Sequence, residues 1–216
     1  MSSDSDNPQS AIRNPQSAAK PVIGLVGGIG SGKSLVAAEF AKHGGRIVSG
    51  DEAGHEALRQ PEIVAQVEKR WGRAVLDQKG EVIRRKVGAI VFADLAERQA
   101  LEALVFPFIG QRLPEQIAAA QADPAVRFVV LDAAIMLEAG WNNVCTKLVY
   151  VDVPREQRLE RIARQRGWTE KEVTARESAQ WSIEDKAKRA DERIDNSGSP
   201  EETARQVAEL LRRWGL

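Results

Sequence analysis

Cysteine, tyrosine and methionine are scarce in this sequence, and no long apolar segment interrupts it. The 216 residues include one cysteine, one tyrosine and two methionines. The single thiol, Cys145, excludes an intrachain disulfide and a metal site built from several cysteines. No apolar run approaches the ~20 residues that a helix needs to cross a bilayer. These absences favour a protein of the reducing cytosol, and we predict no membrane partner.

An excess of charge of either sign is also missing. Lys and Arg together number 31, and so do Asp and Glu. A balanced chain has no overall basic field to attract nucleic acid, so we predict no nucleic-acid partner. The two histidines, His43 and His55, are too few and too far apart to predict a zinc site. We expect one ordinary domain that is a monomer or a weak homo-oligomer.

Residues 1–20 differ in composition from the rest of the chain. They are rich in Ser, Asn, Gln, Pro and Asp, and the pentapeptide Asn-Pro-Gln-Ser-Ala occurs twice, from Asn7 and from Asn14. Without an apolar core region this segment does not fit a secretory signal. It has too little apolar surface to offset the entropy of ordering. We therefore predict a disordered extension over residues 1–20 and a folded domain over residues 21–216.

From Pro21 onward, strand-like and helix-like stretches alternate, and Thr169 and Ser199 each precede a glutamate at capping-box spacing. Strands separated by helices pair in parallel through right-handed crossovers, which predicts an α/β sandwich of three layers around a central parallel sheet. The predicted strands are Val22–Val26, Arg46–Ser49, Arg127–Leu131 and Lys147–Val151. The predicted helices before the third strand are Ser34–His43, Pro61–Arg73, Ile83–Phe92 and Leu95–Ala122, the last broken near Pro107 and Pro114.

A glycine-rich segment between the first strand and the first helix matches the pattern G-x-x-x-x-G-K-[ST] in full. Its glycines allow consecutive N–H groups to point at phosphate oxygens, and the helix adds the positive end of its dipole. A glycine-rich turn that binds nothing is the alternative, but strand, spacing, lysine, hydroxyl and helix all agree with nucleotide binding. Lys33 is predicted to contact the β- and γ-phosphates of ATP, and Ser34 to bind Mg²⁺. The residues predicted to bind ATP here are Gly28, Ile29, Gly30, Ser31, Gly32, Lys33, Ser34 and Leu35.

Asp51 follows the second predicted strand, 18 positions after Lys33. Because loops at the carboxyl ends of neighbouring parallel strands share one crevice, we expect Asp51 to face the phosphate-binding loop. There its carboxylate could accept the proton of an attacking hydroxyl. Taken alone, an aspartate after a strand is more often a helix N-cap. The chain lacks an Asn-Lys-x-Asp stretch, which argues against a GTPase.

Two further features each allow two interpretations. Asp132 follows an apolar strand. Its carboxylate could hold Mg²⁺ through water, or it could simply be the polar residue that ends the strand, and the sequence favours neither interpretation. An arginine-rich helix between Pro154 and Gly167 is by its spacing a solvated, salt-bridged face. The functional alternative is a lid whose arginines close on a triphosphate. The arginines concerned are Arg155, Arg158, Arg161, Arg164 and Arg166.

Together these features resemble the dephospho-coenzyme A kinases. The stretch Ile23–Phe40 is similar to the opening of that family, and Asp51 matches the second acidic position of its Asp-x-Asp element. Further matches follow in order: Gly80, Arg84, Gly88, Phe92, Leu104, Pro107, Ile109, Leu137–Gly140, Val151–Pro154, Arg161, Gln180, Lys186, Ala190, Asp191 and Ile194–Gly198. The sequence departs from the family pattern at Ser49, Phe106 and Ala134, where an acidic residue, His and Pro are usual.

The resemblance implies transfer of the γ-phosphoryl group of ATP to the ribose 3′-hydroxyl of dephospho-coenzyme A. It implies Asp51 as the base, with Lys33 and Arg161 balancing charge in the transfer. The substrate-binding residues that it implies are Asp51, Arg84 and Glu138, and those beside the adenine of ATP are Asn196 and Gly198.

The resemblance also implies a P-loop kinase-type fold with two specialised parts. Residues 53–122 are expected to form a helical acceptor-binding part, and residues 154–182 a helical lid. The second lid arginine stays open between Arg164 and Arg166. The alternatives are another P-loop kinase, for a nucleoside monophosphate or for shikimate, and a nucleotide-binding switch protein.

Overall fold

The computed structural model describes residues 19–216, so the extension predicted over residues 1–20 lies outside them except for its last two residues. Five strands in this part of the chain form one sheet in the order β2-β3-β1-β4-β5. Every neighbouring pair is parallel, which confirms the predicted α/β fold. The strands are β1 (Val22–Val26), β2 (Gly45–Ser49), β3 (Phe128–Asp132), β4 (Lys147–Asp152) and β5 (Glu192–Asp195).

Nine α-helices occur within residues 19–216, and none of them combines the length and apolar composition that a membrane span requires. The first five are α1 (Lys33–Lys42), α2 (Gly50–Ala57), α3 (Pro61–Trp71), α4 (Arg84–Ala93) and α5 (Leu95–Ala122). The last four are α6 (Arg155–Arg166), α7 (Glu170–Glu177), α8 (Ile183–Arg189) and α9 (Pro200–Trp214). The predicted capping box is present at Thr169, and Ser199 caps α9 by accepting a hydrogen bond from Glu202 N.

Both faces of the sheet are covered, which explains why its central strands are continuous apolar runs. Alternate residues of β1 point to opposite sides: Ile23 and Leu25 pack with α1 and α9, whereas Val22 and Val26 pack with α2–α5. All five residues of β1 are buried. The sheet is therefore the middle layer of three, as predicted.

The prediction that the helix Leu95–Ala122 breaks near its prolines is wrong, because α5 is continuous through Pro107 and Pro114. Each proline lacks the N–H that would bond the carbonyl four residues earlier, a cost of about 3 kcal/mol in an isolated helix. Packing outweighs that cost here. The residues of α5 that are buried against the rest of the core are Val105, Ile109, Leu113, Ile117 and Ala120.

Phe40→Ala tests the core between α1 and the sheet. The Phe40 ring is fully buried and meets the Phe128 ring edge-on, with centroids 6.1 Å apart. Truncation should lower the free energy of unfolding by about 3–5 kcal/mol, because it removes apolar contacts and leaves a cavity. Urea denaturation measures this loss. The control is Leu95→Ala, at a side chain that is 59% exposed, which should change the free energy by less than about 0.5 kcal/mol.

Candidate active site

The glycine-rich segment forms the turn between β1 and α1. Gly30 and Gly32 have φ angles of 80° and 81°, a left-handed conformation that side chains with a Cβ adopt only under strain. Lys33 folds over this turn, and its Nζ donates a hydrogen bond to Gly27 O at 3.2 Å. Burial lowers the pKa of Lys33, while the negative charges of Asp132 and Asp51 act in the opposite direction. The ammonium group therefore lies within electrostatic reach of both carboxylates.

Ser34 and Asp132 form a direct pair beside the lysine. Ser34 Oγ donates to Asp132 Oδ2 at 2.8 Å. Burial raises the pKa of Asp132, whereas the Ser34 hydrogen bond and the Lys33 charge lower it. A hydroxyl and one carboxylate suit Mg²⁺, which takes few protein ligands when phosphates and water complete its octahedron. The hydrogen bond between Ser34 and Asp132 supports the interpretation in which Asp132 holds Mg²⁺ through water.

Asp51 lies in the first turn of α2 and does not cap it. The N-cap is Ser49, whose side chain accepts a hydrogen bond from Glu52 N at 3.2 Å. The N-cap interpretation of Asp51 is therefore wrong. Ser49, which stands where the family pattern has an acidic residue, contributes a cap to the helix that carries Asp51.

A cavity of about 470 Å³ lies between the phosphate-binding turn, helices α2, α4 and α5, and the α6–α7 region. Ile29 of the turn, Asp51 and Arg84 all line it. The His55 ring, one helical turn after Asp51, contacts the Arg84 guanidinium, and burial together with the Arg84 charge lowers the pKa of His55. Asp51 and Ile29 of the turn thus line one cavity, as expected for loops at the carboxyl ends of neighbouring parallel strands.

The apolar wall of the cavity contains two positions at which the chain departs from the family pattern. Phe106 lines the cavity and packs edge-on against Trp141, with ring centroids 5.3 Å apart. Ala134 lines it as well. With Phe106 in place of the usual histidine, this wall of the cavity is more apolar.

Helix α6 presents its arginines to different surroundings. Arg161 Nη2 donates to Asn196 O at 2.9 Å, close to the turn. Arg158 is only 5% exposed; it donates to Ile29 O at 3.0 Å and forms an ion pair with Glu177. No separate role was predicted for Arg158, because helical spacing does not reveal which of several arginines is buried.

Asn196 connects the turn to the start of α9. Its side chain is 5% exposed, donates to Ser31 O at 2.8 Å and accepts a hydrogen bond from Thr203 Oγ1 at 2.8 Å. Gly198 follows in the same β5–α9 loop and is exposed. Leu35, the third residue of α1, is 47% exposed. Their predicted contacts with ATP stay predictions.

Glu138 belongs to a charged network behind the turn. Its Oε1 accepts a hydrogen bond from Trp181 N at 2.7 Å and pairs with Lys186 Nζ at 3.2 Å. Lys186 is 2% exposed and also donates to Gln180 at 2.7 Å. After burial and the Asp132 charge, Lys186 is the next influence on the pKa of Lys33 and lowers it. Lys186 was noted only as a family match, and its place near the turn was not predicted.

The sequence is similar to known proteins over most of its length. A family model described as dephospho-CoA kinase matches residues 21–202. A dephospho-CoA kinase of Geobacillus kaustophilus is 39% identical over 194 residues, which cover 89% of this chain and 96% of that protein. A dephospho-CoA kinase of Thermobifida fusca is 37% identical over 189 residues, covering 87% and 93%.

Solved structures share the same fold. A Thermus thermophilus protein is 32% identical, with a TM-score of 0.75 over 91% of this chain and 98% of that one. The dephospho-CoA kinase from Campylobacter jejuni, at 24% identity and a TM-score of 0.62, covers 91% and 98%. With a family model that spans most of the sequence and relatives well above 30% identity, the chain belongs to the dephospho-CoA kinase family.

Proposed function

We propose that the protein transfers the γ-phosphoryl group of ATP to the ribose 3′-hydroxyl of dephospho-coenzyme A, which completes coenzyme A. One observation carries the proposal: Ile29 of the phosphate-binding turn and Asp51 line the same cavity. A donor held by the turn and an acceptor in the cavity would then meet next to a base. The expected monomer or weak homo-oligomer in the cytosol stays a prediction.

The proposed reaction is a direct in-line transfer of the phosphoryl group. The protein positions the reactants and stabilises charge, and it forms no covalent bond to the phosphoryl group. Asp51 orients the 3′-hydroxyl and accepts its proton. Lys33 and Arg161 balance the charge that develops on the moving phosphoryl group. Ser34 would hold Mg²⁺, with Asp132 fixing the ion through water. When bound, the ion supplies charge neutralisation on the β- and γ-phosphate oxygens.

The division of the domain supports the same proposal. Residues 53–122, the proposed acceptor-binding part, contribute Arg84, His55 and most of the apolar wall to the cavity. Residues 154–182, the proposed lid, contribute Arg161 beside the turn and Arg166 in the cavity lining. We propose that Arg84 contacts the acceptor directly. Glu138 does not line the cavity, and we propose that it contributes indirectly, through its ion pair with Lys186.

Asp51→Asn tests the proposed base. The amide keeps the shape of the side chain but cannot accept the proton, so turnover should fall by about 10²–10⁴-fold. Affinity for ATP, measured by calorimetry, should change less than twofold, since Lys33 and the turn are intact. The matched control is Glu52→Gln at the exposed neighbouring residue, which should keep normal turnover. Unaltered turnover in Asp51→Asn would contradict the base assignment.

A panel of acceptors tests the substrate. With ATP, dephospho-coenzyme A should give a kcat/KM higher by orders of magnitude than AMP, CMP or shikimate. A preference for one of the other acceptors would identify a different small-molecule kinase. ATP binding without acceptor-dependent ADP release would identify a nucleotide-binding switch. Measured ADP release in a coupled assay separates the three outcomes.

Asn196→Ala tests whether Asn196 shapes the phosphate-binding turn in addition to lying near ATP. The change leaves Ser31 O and Thr203 Oγ1 without their shared partner in a buried site. The free energy of unfolding, measured in urea without nucleotide, should fall by about 1–3 kcal/mol. Asn143→Ala, at an exposed residue, is the control. If Asn196→Ala weakens ATP binding but unfolds like the original protein, the residue is a nucleotide contact alone.

A further inference from the structure

Three arginines from three different helices line the cavity where α5 meets the α6–α7 region. They are Arg98 near the start of α5, Arg166 at the end of α6 and Arg176 on α7, and we call them the rim arginines. Arg98 and Arg176 have no part in the proposed transfer, and Arg166 enters it only as a candidate lid arginine. Arg164, the other candidate for a second lid arginine, does not line this cavity.

Aromatic rings fix the orientation of two rim arginines. The Cζ of Arg176 lies 3.9 Å from the centroid of Trp168 and 4.3 Å from that of Phe92, over both ring faces. The Cζ of Arg166 lies 5.0 Å from the Trp168 centroid. Stacking uses the faces of a guanidinium and leaves the N–H donors on its edge directed elsewhere. The guanidinium groups of Arg166 and Arg176 therefore lie close together beside Trp168, in one small region of the cavity.

Some of these edge donors are buried without a hydrogen bond. Arg98 Nε and Arg176 Nε are both inaccessible to solvent and have no acceptor. Arg98 Nε lies 3.5 Å from Glu102 Oε1, which is an ion pair but not a hydrogen bond. Arg176 Nη1 does donate, to Glu172 O at 2.9 Å. Buried unpaired donors are costly, so a small movement of these side chains that brings an Nε–H to a ligand acceptor would be favoured.

The charges that line the cavity favour an anion. Its lining contains Arg84 and the three rim arginines, against the carboxylates of Asp51 and Glu102. Asp51 faces the phosphate-binding turn, so Glu102 is the carboxylate that accompanies the rim arginines. Planar arginine forks match phosphate oxygens in a bidentate way that a single ammonium does not.

We propose that the rim arginines bind the diphosphate group of the acceptor. This rests on the proposed function, because the proposed acceptor carries a diphosphate on the 5′ side of the ribose whose 3′-hydroxyl reacts. Binding the diphosphate at the rim holds the ribose with its 3′ side toward Asp51. The site also distinguishes the acceptor from nucleosides that present the same hydroxyl without a diphosphate.

The test is calorimetric titration of dephospho-coenzyme A and of adenosine, with the donor site filled by the non-hydrolysable ATP analogue AMP-PNP and Mg²⁺. Arg166→Gln and Arg176→Gln should each raise the Kd for dephospho-coenzyme A by about 10- to 100-fold, as expected for lost charge-assisted hydrogen bonds. The Kd for adenosine should change less than twofold. Raising the salt concentration should weaken dephospho-coenzyme A binding less steeply in the variants than in the original protein.

The matched control is Arg85→Gln, which removes an exposed arginine that does not line the cavity, and which should bind both ligands normally. Arg176→Lys keeps the charge but loses the fork, and it should bind dephospho-coenzyme A with intermediate affinity. Arg166→Gln is at an exposed helix end and keeps the test valid if Arg176→Gln fails to fold.

Three results would overturn the diphosphate site. If the variants lost affinity for adenosine as much as for dephospho-coenzyme A, Arg176 would have only a structural role in packing α7 against Phe92. An unchanged Kd for dephospho-coenzyme A and an unchanged salt dependence would show that the rim arginines do not touch the acceptor. An equal effect of Arg85→Gln would show that the acceptor responds only to the overall positive charge of this region. Absence of turnover by the unmodified protein would reject the proposed function instead, whatever these Kd ratios are.

Discussion

Strand β3 lies hydrogen-bonded between β1 and β2, and this pairing brings the ends of three strands to one edge of the sheet. The register places Asp132 beside Leu25 of β1 and beside Ser49 of β2. The chain that leaves β1 forms the phosphate-binding turn, and the chain that leaves β2 enters α2 with Asp51 in its first turn. The negative charges of Asp132 and Asp51 consequently oppose the lowering of the Lys33 pKa by burial. The donor side and the acceptor side of the site both depend on this register.

Buried ion pairs hold the surroundings of the turn in place. Arg158 joins Ile29 of the turn to Glu177 of α7, and Lys186 joins Glu138 to the segment before α8. Losing one partner of such a pair is costly because the other charge stays buried. The Arg158 contacts therefore link α7 to the turn, whereas the Lys186 contacts link the loop after β3 to α8 and to Gln180 before it.

Features that depend on local pattern were predictable from sequence, and features that depend on packing were not. The central strands were found because burial on both faces makes them continuous apolar runs, and the neighbourhood of Asp51 followed from the topology of parallel sheets. Strand β5 was missed because only Ile194 of its four residues is buried. The continuity of α5, the Ser34–Asp132 pair and the burial of Arg158 arise from contacts between distant segments, which no local spacing records.

The central claim is that the phosphate-binding turn and Asp51 serve one reaction in one cavity. A crystal structure with Mg²⁺, AMP-PNP and dephospho-coenzyme A tests it most directly. The account predicts the 3′-hydroxyl oxygen about 2.6–3.2 Å from an Asp51 carboxylate oxygen and in line with the γ-phosphorus. An acceptor bound with its 3′-hydroxyl away from Asp51, or a carboxylate turned away from the γ-phosphate with both ligands in place, would contradict it.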